Sequence, residues 1–234
     1  MGFREAAMIQ AVFFDLDETL IDRAPAIRAF VVDQHARCAS VLEAIPLDRY
    51  RDTFLDVEQF GRIPKKTVYP ELAAKLGLPE SAAKLLLDDY TEFYPRYATL
   101  RPEAKPAVET LHGLGVKLGV ITNGVAEVQY GKLDSIGLRP FFEVILISSI
   151  EGVSKPDAEI FLRAAQRIGQ AEGACLYVGD NPRVDIIGAE AAGMPAAWLE
   201  NQESPWPAEV PPPRRVLTTL ADVVPLVTAA AGGR

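Results

Sequence analysis

Cysteine, histidine and tryptophan are all scarce in this chain of 234 residues, which has two of each. Cys38 and Cys175 lie far apart, with no second cysteine or histidine at metal-ligand spacing, which excludes a disulfide framework and a thiolate zinc site. That usage fits a reducing compartment. His35 and His112 stand alone in helical patterns and read as structural side chains. Positive charge is also short: 24 Lys and Arg face 32 Asp and Glu, a formal net charge of −8, which argues against a broad grip on nucleic acid or anionic lipid. No stretch reaches the length of about 18 uncharged apolar residues that spans a bilayer, and 1–10, with Arg4 and Glu5, lacks an apolar leader core. A GxGxxG phosphate loop and internal repeats are absent too. The expectation is a soluble, cytoplasmic, acidic globular protein with no nucleic-acid or membrane partner, either monomer or homodimer.

Apolar residues make up 49% of the chain, enough for one sizeable core plus a small satellite. Short apolar runs at 11–14 (AVFF), 116–122, 144–148, 174–179, 195–199 and, more weakly, 215–218 read as buried strands. Between them, 102–114, 124–136, 156–168 and 184–192 have helical periodicity, and each closes on a glycine. Strands alternating with helices predict an α/β fold, a doubly wound parallel sheet. The alternation fails between 22 and 100, where helical segments at 25–42, 47–60, 67–76 and 81–97 follow one another. We therefore expect a catalytic core of 1–20 and 101–234 with a smaller all-helical cap at 21–100. Prolines in 203–215 predict an extended connection, and Thr219 with Asp222 predicts a capped final helix.

In open α/β sheets, ligands bind at the carboxyl ends of the strands. There the sequence places Asp15-Leu16-Asp17-Glu18-Thr19, Thr122-Asn123-Gly124, Ser154-Lys155-Pro156-Asp157 and Gly179-Asp180-Asn181-Pro182-Arg183-Val184-Asp185. Any one is weak; the ordered set is specific. Asp15-x-Asp17-x-Thr19, Thr122, Lys155-Pro156 and Gly179-Asp180 with Asp185 resemble the four motifs of the haloacid dehalogenase (HAD) superfamily. The helical insert resembles that of its subclass with a mobile cap.

The chemistry follows beside the resemblance. Clustered carboxylates repel unless a cation sits among them, and Mg²⁺ prefers oxygen ligands in a site that phosphate can complete. Asp15 and Asp180 are the expected carboxylate ligands; the resemblance adds the backbone carbonyl of Asp17, and Asp185 would serve the metal, its waters or Lys155. Asp15 would attack a phosphate ester, splitting the displacement into two steps through an aspartyl-phosphate. Asp17 would protonate the leaving oxygen and then deprotonate water. Thr122, Asn123 and Lys155 would hold the phosphoryl oxygens.

The superfamily's dehalogenases need no leaving-group acid and lack an aspartate at the position of Asp17, so phosphoryl transfer is favoured. The implied enzyme is a Mg²⁺-dependent phosphatase of a small phosphorylated metabolite: a sugar phosphate, acylneuraminate phosphate or nucleoside monophosphate. A phosphoglucomutase-like isomerase has the same four motifs and remains the alternative. A phosphorylatable signalling module fits less well, because it needs a long-lived acyl phosphate and no such acid. Cap candidates for substrate choice are Phe54, Phe60, Arg62, Lys65, Lys66 and Tyr69. Glu18, Asp22, Asp157 and Glu190 read as structural, with Asp22 a helix cap.

Overall fold

A computed structural model describes residues 8–201 and 204–229. The first seven residues of the expected leader-free terminus, and Glu203 of the extended connection, lie outside the described residues. Six strands, β1 (Ala11–Phe14), β2 (Lys117–Thr122), β3 (Val144–Ile147), β4 (Cys175–Gly179), β5 (Ala196–Leu199) and β6 (Val216–Leu217), form one sheet in the order β3-β2-β1-β4-β5-β6. Every pairing is parallel.

The apolar runs explain this. A parallel sheet is covered on both faces, so its strands are apolar at every position. In β1, Val12 and Phe14 join one apolar cluster while Ala11 and Phe13 join another on the opposite face. The first cluster packs α6 (Ala104–Gly113), α7 (Ala126–Ser135) and α11 (Val223–Ala229) on the sheet; the second packs α9 (Ala158–Ile168) and α10 (Gly188–Ala191). From β1 the order runs to β2 and β3 on one side and to β4, β5 and β6 on the other. The crevice at this reversal lies beyond the carboxyl end of β1.

Several helices start later than their periodicity suggests. Pro156 precedes α9 by two residues, and the cap is Asp157, whose carboxylate accepts from Glu159 N at 3.0 Å. Strand 144–148 stops at Ile147 because Ser148 opens the short α8 (Ser148–Glu151). The expected helix at 184–192 is a π-helical turn, Pro182–Ile187, followed by α10. Asn181 starts that turn early, its side chain accepting from Arg183 N and Val184 N. Thr219 and Asp222 form the expected capping box before α11.

The all-helical layer comprises α1 (Arg23–Arg37), α2 (Ala39–Leu42), α3 (Leu47–Glu58), α4 (Lys65–Leu76) and α5 (Glu80–Phe93), with its own apolar cluster. Its centre holds a polar residue, Gln34, fully buried. The Gln34 carboxamide accepts from the hydroxyls of Tyr50 (2.7 Å) and Tyr69 (3.0 Å) and donates to Leu86 O (2.8 Å) and Asp89 (3.0 Å). The two strands of chain that join this layer to the sheet pair with each other: Asp22 N donates to Thr99 O and Arg101 N to Leu20 O. Asp22 does occupy the position before α1, but its side chain makes no capping bond, which corrects that expectation. Among the described residues, no helix is long and apolar enough to cross a membrane.

Candidate active site

The end of β1 delivers two aspartates to the crevice. Asp15 N donates to Val178 O at 2.9 Å, continuing the pairing with β4 one residue past the strand. The chain then turns sharply: the Leu20 and Ile21 amides both reach Leu16 O, and Glu18 takes a left-handed φ of 62°. A residue with a Cβ resists that conformation by about 1–2 kcal/mol. Arg101 braces it, donating to Glu18 O from Nε at 3.1 Å and Nη2 at 2.9 Å.

Lys155 is 4% exposed, and its Nζ donates to Asp15 Oδ1 at 2.6 Å, Asp185 Oδ1 at 2.7 Å and the Tyr177 hydroxyl at 2.7 Å. Asn123 fixes the backbone behind it, accepting from Lys155 N at 3.0 Å and donating to Lys155 O at 2.9 Å. The Lys155-Pro156 peptide is cis. Asp185 also accepts from Asn181 N at 2.9 Å, and Asp180 is held by Asn201 Nδ2 at 2.9 Å. Gly179 makes this packing possible, because a Cβ there would sit 2.5 Å from Asp185 Cγ.

Asp15, Asp180 and Asp185 are buried and bring carboxylate oxygens within 4.8 Å of one another. Burial pushes Asp15 up to about 7 although Lys155 opposes it, and burial with the neighbouring Asp185 and Asp15 pushes Asp180 well above the usual range. Lys155, despite burial, is held above its ordinary value by Asp15 and Asp185. One ammonium does not compensate three buried carboxylates. An all-oxygen, strongly anionic donor set of this kind fits a hard divalent cation.

Asp17 stands apart. Its carboxylate lies outside the three-acid cluster and is bound by Lys132 Nζ, 2.8 Å from each oxygen, and by Gln129 Nε2 at 3.1 Å. The Asp17 carboxylate is thus paired with Lys132 rather than gathered with the three acids, and the ligand expected of Asp17 is the backbone carbonyl that the resemblance implies. Burial would raise its pKa, but Lys132 and then Arg23 more than offset this, leaving it below the usual carboxylate range. Gln129 Nε2 also donates to the Thr122 hydroxyl at 2.6 Å, so Thr122 and Asp17 share one partner.

Of the expected residues, Asp15, Lys155, Asp180 and Asp185 thus meet in one cluster, with Asn123 clamped to Lys155 and with Thr122 and Asp17 on Gln129. The residues that sequence reasoning missed are Gln129, Lys132, Tyr177, Asn201 and Arg23. A signal existed for two of them, since Gln129 and Lys132 lie three apart between Val128 and Leu133 on the buried face of α7. Of the cap candidates, Phe54 and Tyr69 are fully buried, Lys65 pairs with Glu58 at 3.0 Å, and Lys66 is exposed. Phe60 is 61% exposed in a left-handed run of Gln59, Phe60 and Gly61, with the Arg62 guanidinium 6.0 Å from its ring.

Comparison with known proteins agrees with this geometry. Residues 9–193 match the family described as haloacid dehalogenase-like hydrolase. A glyceraldehyde 3-phosphate phosphatase of Methanopyrus kandleri is 35% identical over 199 residues, 80% of this chain and 82% of that protein. Among solved structures, the magnesium-bound HAD-hydrolase YfnB of Bacillus subtilis superposes with a TM-score of 0.75 at 25% identity, covering 94% of this chain and 99% of that one. A 2-haloacid dehalogenase of Pseudomonas syringae gives 0.68 at 31% identity, covering 96% and 100%. With its parallel sheet, helical layer and acidic cluster at the end of β1, the chain belongs to the haloacid dehalogenase-like hydrolases.

Proposed function

We propose that this chain is a phosphatase that uses a divalent cation, Mg²⁺ by preference, to hydrolyse a small phosphorylated metabolite through attack by Asp15. The observation that carries the reading is the arrangement of Asp15, held by Lys155 among three carboxylates, near an Asp17 that stays outside that cluster. The phosphatase relative and the magnesium-bound neighbour support it. Residues 21–100 are taken as the cap and 1–20 with 101–234 as the catalytic core of a soluble, cytoplasmic monomer or homodimer.

Asp15, Asp180 and the Asp17 carbonyl, with Asp185 behind them, would hold Mg²⁺, which when bound neutralises carboxylate and phosphate charge. Lys155 keeps Asp15 oriented and offers an ammonium to the phosphoryl oxygens; the Thr122 hydroxyl and nearby backbone amides supply further donors. Asp15 attacks phosphorus, the ester oxygen leaves, and an aspartyl-phosphate forms on Asp15. Asp17 supplies the proton to that oxygen and in the second step takes one from water, which attacks the phosphoryl group and restores Asp15. Lys132 holds Asp17 ionised, the state suited to the second step, so the first requires that ion pair to open around the leaving group. Such acid-base help contributes about 10²- to 10⁴-fold.

The substrate classes implied are sugar phosphates, acylneuraminate phosphates and nucleoside monophosphates. The test is phosphate release from p-nitrophenyl phosphate and a panel of these esters, with Mg²⁺ or EDTA, for wild type and Asp15→Asn. Metal-dependent release that is lost in the variant is expected. Hexose 6-phosphate made from hexose 1-phosphate without free phosphate would indicate a mutase instead, and halide release from a 2-haloacid would indicate a dehalogenase.

A further inference from the structure

Gln129 is a neutral side chain among charged ones, and the steps above give it no task. It lies near the start of α7 and is 2% exposed. Gly124 leaves the room that it occupies, because a Cβ there would sit 3.0 Å from both Cγ and Cδ of Gln129. A buried amide is costly unless its polar atoms are paired, and here both are. Nε2 donates to Thr122 Oγ1 at 2.6 Å and to Asp17 Oδ2 at 3.1 Å, with Asn123 O farther off at 3.5 Å. Oε1 accepts from Lys132 Nζ at 2.9 Å.

The charged neighbours decide which way round this amide sits. An ammonium has only donors, so Lys132 takes Oε1, and the Asp17 carboxylate paired with it takes Nε2. Turning the amide over would set oxygen against carboxylate and N–H against ammonium. Thr122 therefore meets an N–H, and its oxygen must accept. That leaves its single O–H to donate elsewhere. Among the described residues the acceptor for it is Asn123 O at 3.5 Å, the outer limit of a hydrogen bond. Thr122 is 1% exposed and ends β2 at the crevice, so its donor is held in reserve for a nearer and stronger acceptor. Accepting from Gln129 also makes the hydroxyl a better donor, since linked hydrogen bonds polarise one another.

We propose that Gln129 is a positioning residue for phosphoryl binding. Its amide fixes the Thr122 hydroxyl as an acceptor toward the protein, which keeps the O–H available to a phosphoryl oxygen. This rests on the reading of Thr122 as a phosphoryl donor and adds to it a residue that acts only through another side chain. Without Gln129 the hydroxyl can turn and spend its proton on the protein. A role limited to packing α7 would affect folding alone and would not depend on the Thr122 hydroxyl.

The test is a double-mutant cycle on the binding of inorganic phosphate, measured by calorimetry in saturating Mg²⁺ for wild type, Gln129→Met, Thr122→Val and the double variant. Inorganic phosphate has no leaving group, so proton transfer by Asp17 does not enter the reading. Methionine has a similar length and no N–H. Thr122→Val should weaken phosphate binding about ten-fold, the scale of a hydrogen bond to a charged group, and Gln129→Met about five-fold. In the Thr122→Val background, Gln129→Met should change binding less than about two-fold. Equal effects of Gln129→Met in both backgrounds, or no effect in either, overturn the assignment. Urea unfolding checks that each variant is folded; if Gln129→Met is not, Gln129→Asn, whose amide is one methylene short of Thr122, takes its place in the cycle with the same expectation. Coupling between the two positions without hydrolysis of any ester would uphold the positioning role and count against the phosphatase. Ester hydrolysis with additive effects on phosphate binding would leave the phosphatase standing and remove the role of Gln129. Wild type that binds no phosphate overturns the assignment as well.

Discussion

Raising the pH of the metal-free protein from about 5 to about 8 should lower its stability, and a divalent cation should remove most of that loss. Burial pushes Asp15 up to about 7 in the folded chain, against about 3.9 unfolded. A carboxyl raised in this way binds its proton more tightly when folded. Its contribution is complete below the unfolded value and is lost as pH rises through the folded one. Three pKa units at 1.36 kcal/mol each set a ceiling of about 4 kcal/mol for Asp15 alone. Asp180 shifts in the same direction, and Glu18, raised by burial to about 6, adds with the same sign. Asp17 and Glu58 are lowered, so their contribution is already present above about 4 and does not tilt the curve in this window. The assay is urea unfolding in EDTA at pH about 5, 6.5 and 8, repeated with excess Mg²⁺ and with Asp15→Asn. A cation that competes with protons for these oxygens should stabilise more at pH 8 than at pH 5. Stability flat or rising with pH in EDTA, or an equal effect of Mg²⁺ at both ends, would refute the electrostatic account of the cluster.

Two further outcomes are expected. Gly179→Ala places a Cβ 2.5 Å from Asp185 Cγ inside a paired strand. It should cost about 1–3 kcal/mol and, by displacing Asp185 from Lys155, reduce phosphate release at least about ten-fold. Gly113→Ala, with open space around it, is the control, and matching behaviour of the two would sink the packing argument. Gln34→Leu strands the hydroxyls of Tyr50 and Tyr69 and the carbonyl of Leu86 inside the helical layer. At about 1–3 kcal/mol for each stranded group, the loss should exceed about 3 kcal/mol by denaturant unfolding, and a loss under about 1 kcal/mol would contradict the network.

The sequence alone determined the alternation of strands and helices, because parallel strands covered on both faces must be apolar throughout and so stand out as uninterrupted runs. It also pointed to the strand ends at which Asp15, Asp180, Asp185 and Lys155 gather in the fold. Asp15, Thr122, Lys155 and Asp180 each follow an apolar run or the loop beyond it, and strand ends are where such sheets expose polar groups. Local rules placed the capping box of Thr219 and Asp222 for the same reason: partner and donor are neighbours in the chain.

Tertiary structure decided what depends on distant partners. Lys132 reaches Asp17 across 115 positions and Gln129 across 112, so neither spacing nor composition could tie them to that carboxylate. Element ends shifted where side chains near them supplied hydrogen bonds that periodicity does not record: Asp157 sets the later start of α9, and Asn181 the earlier start of the turn at 182. The division of the four acids is the clearest case. In the chain, Asp15 and Asp17 are two residues apart and look alike; in the fold, burial beside Asp180 and Asp185 raises one, and Lys132 lowers the other. Their difference is a property of neighbours, which only packing assigns.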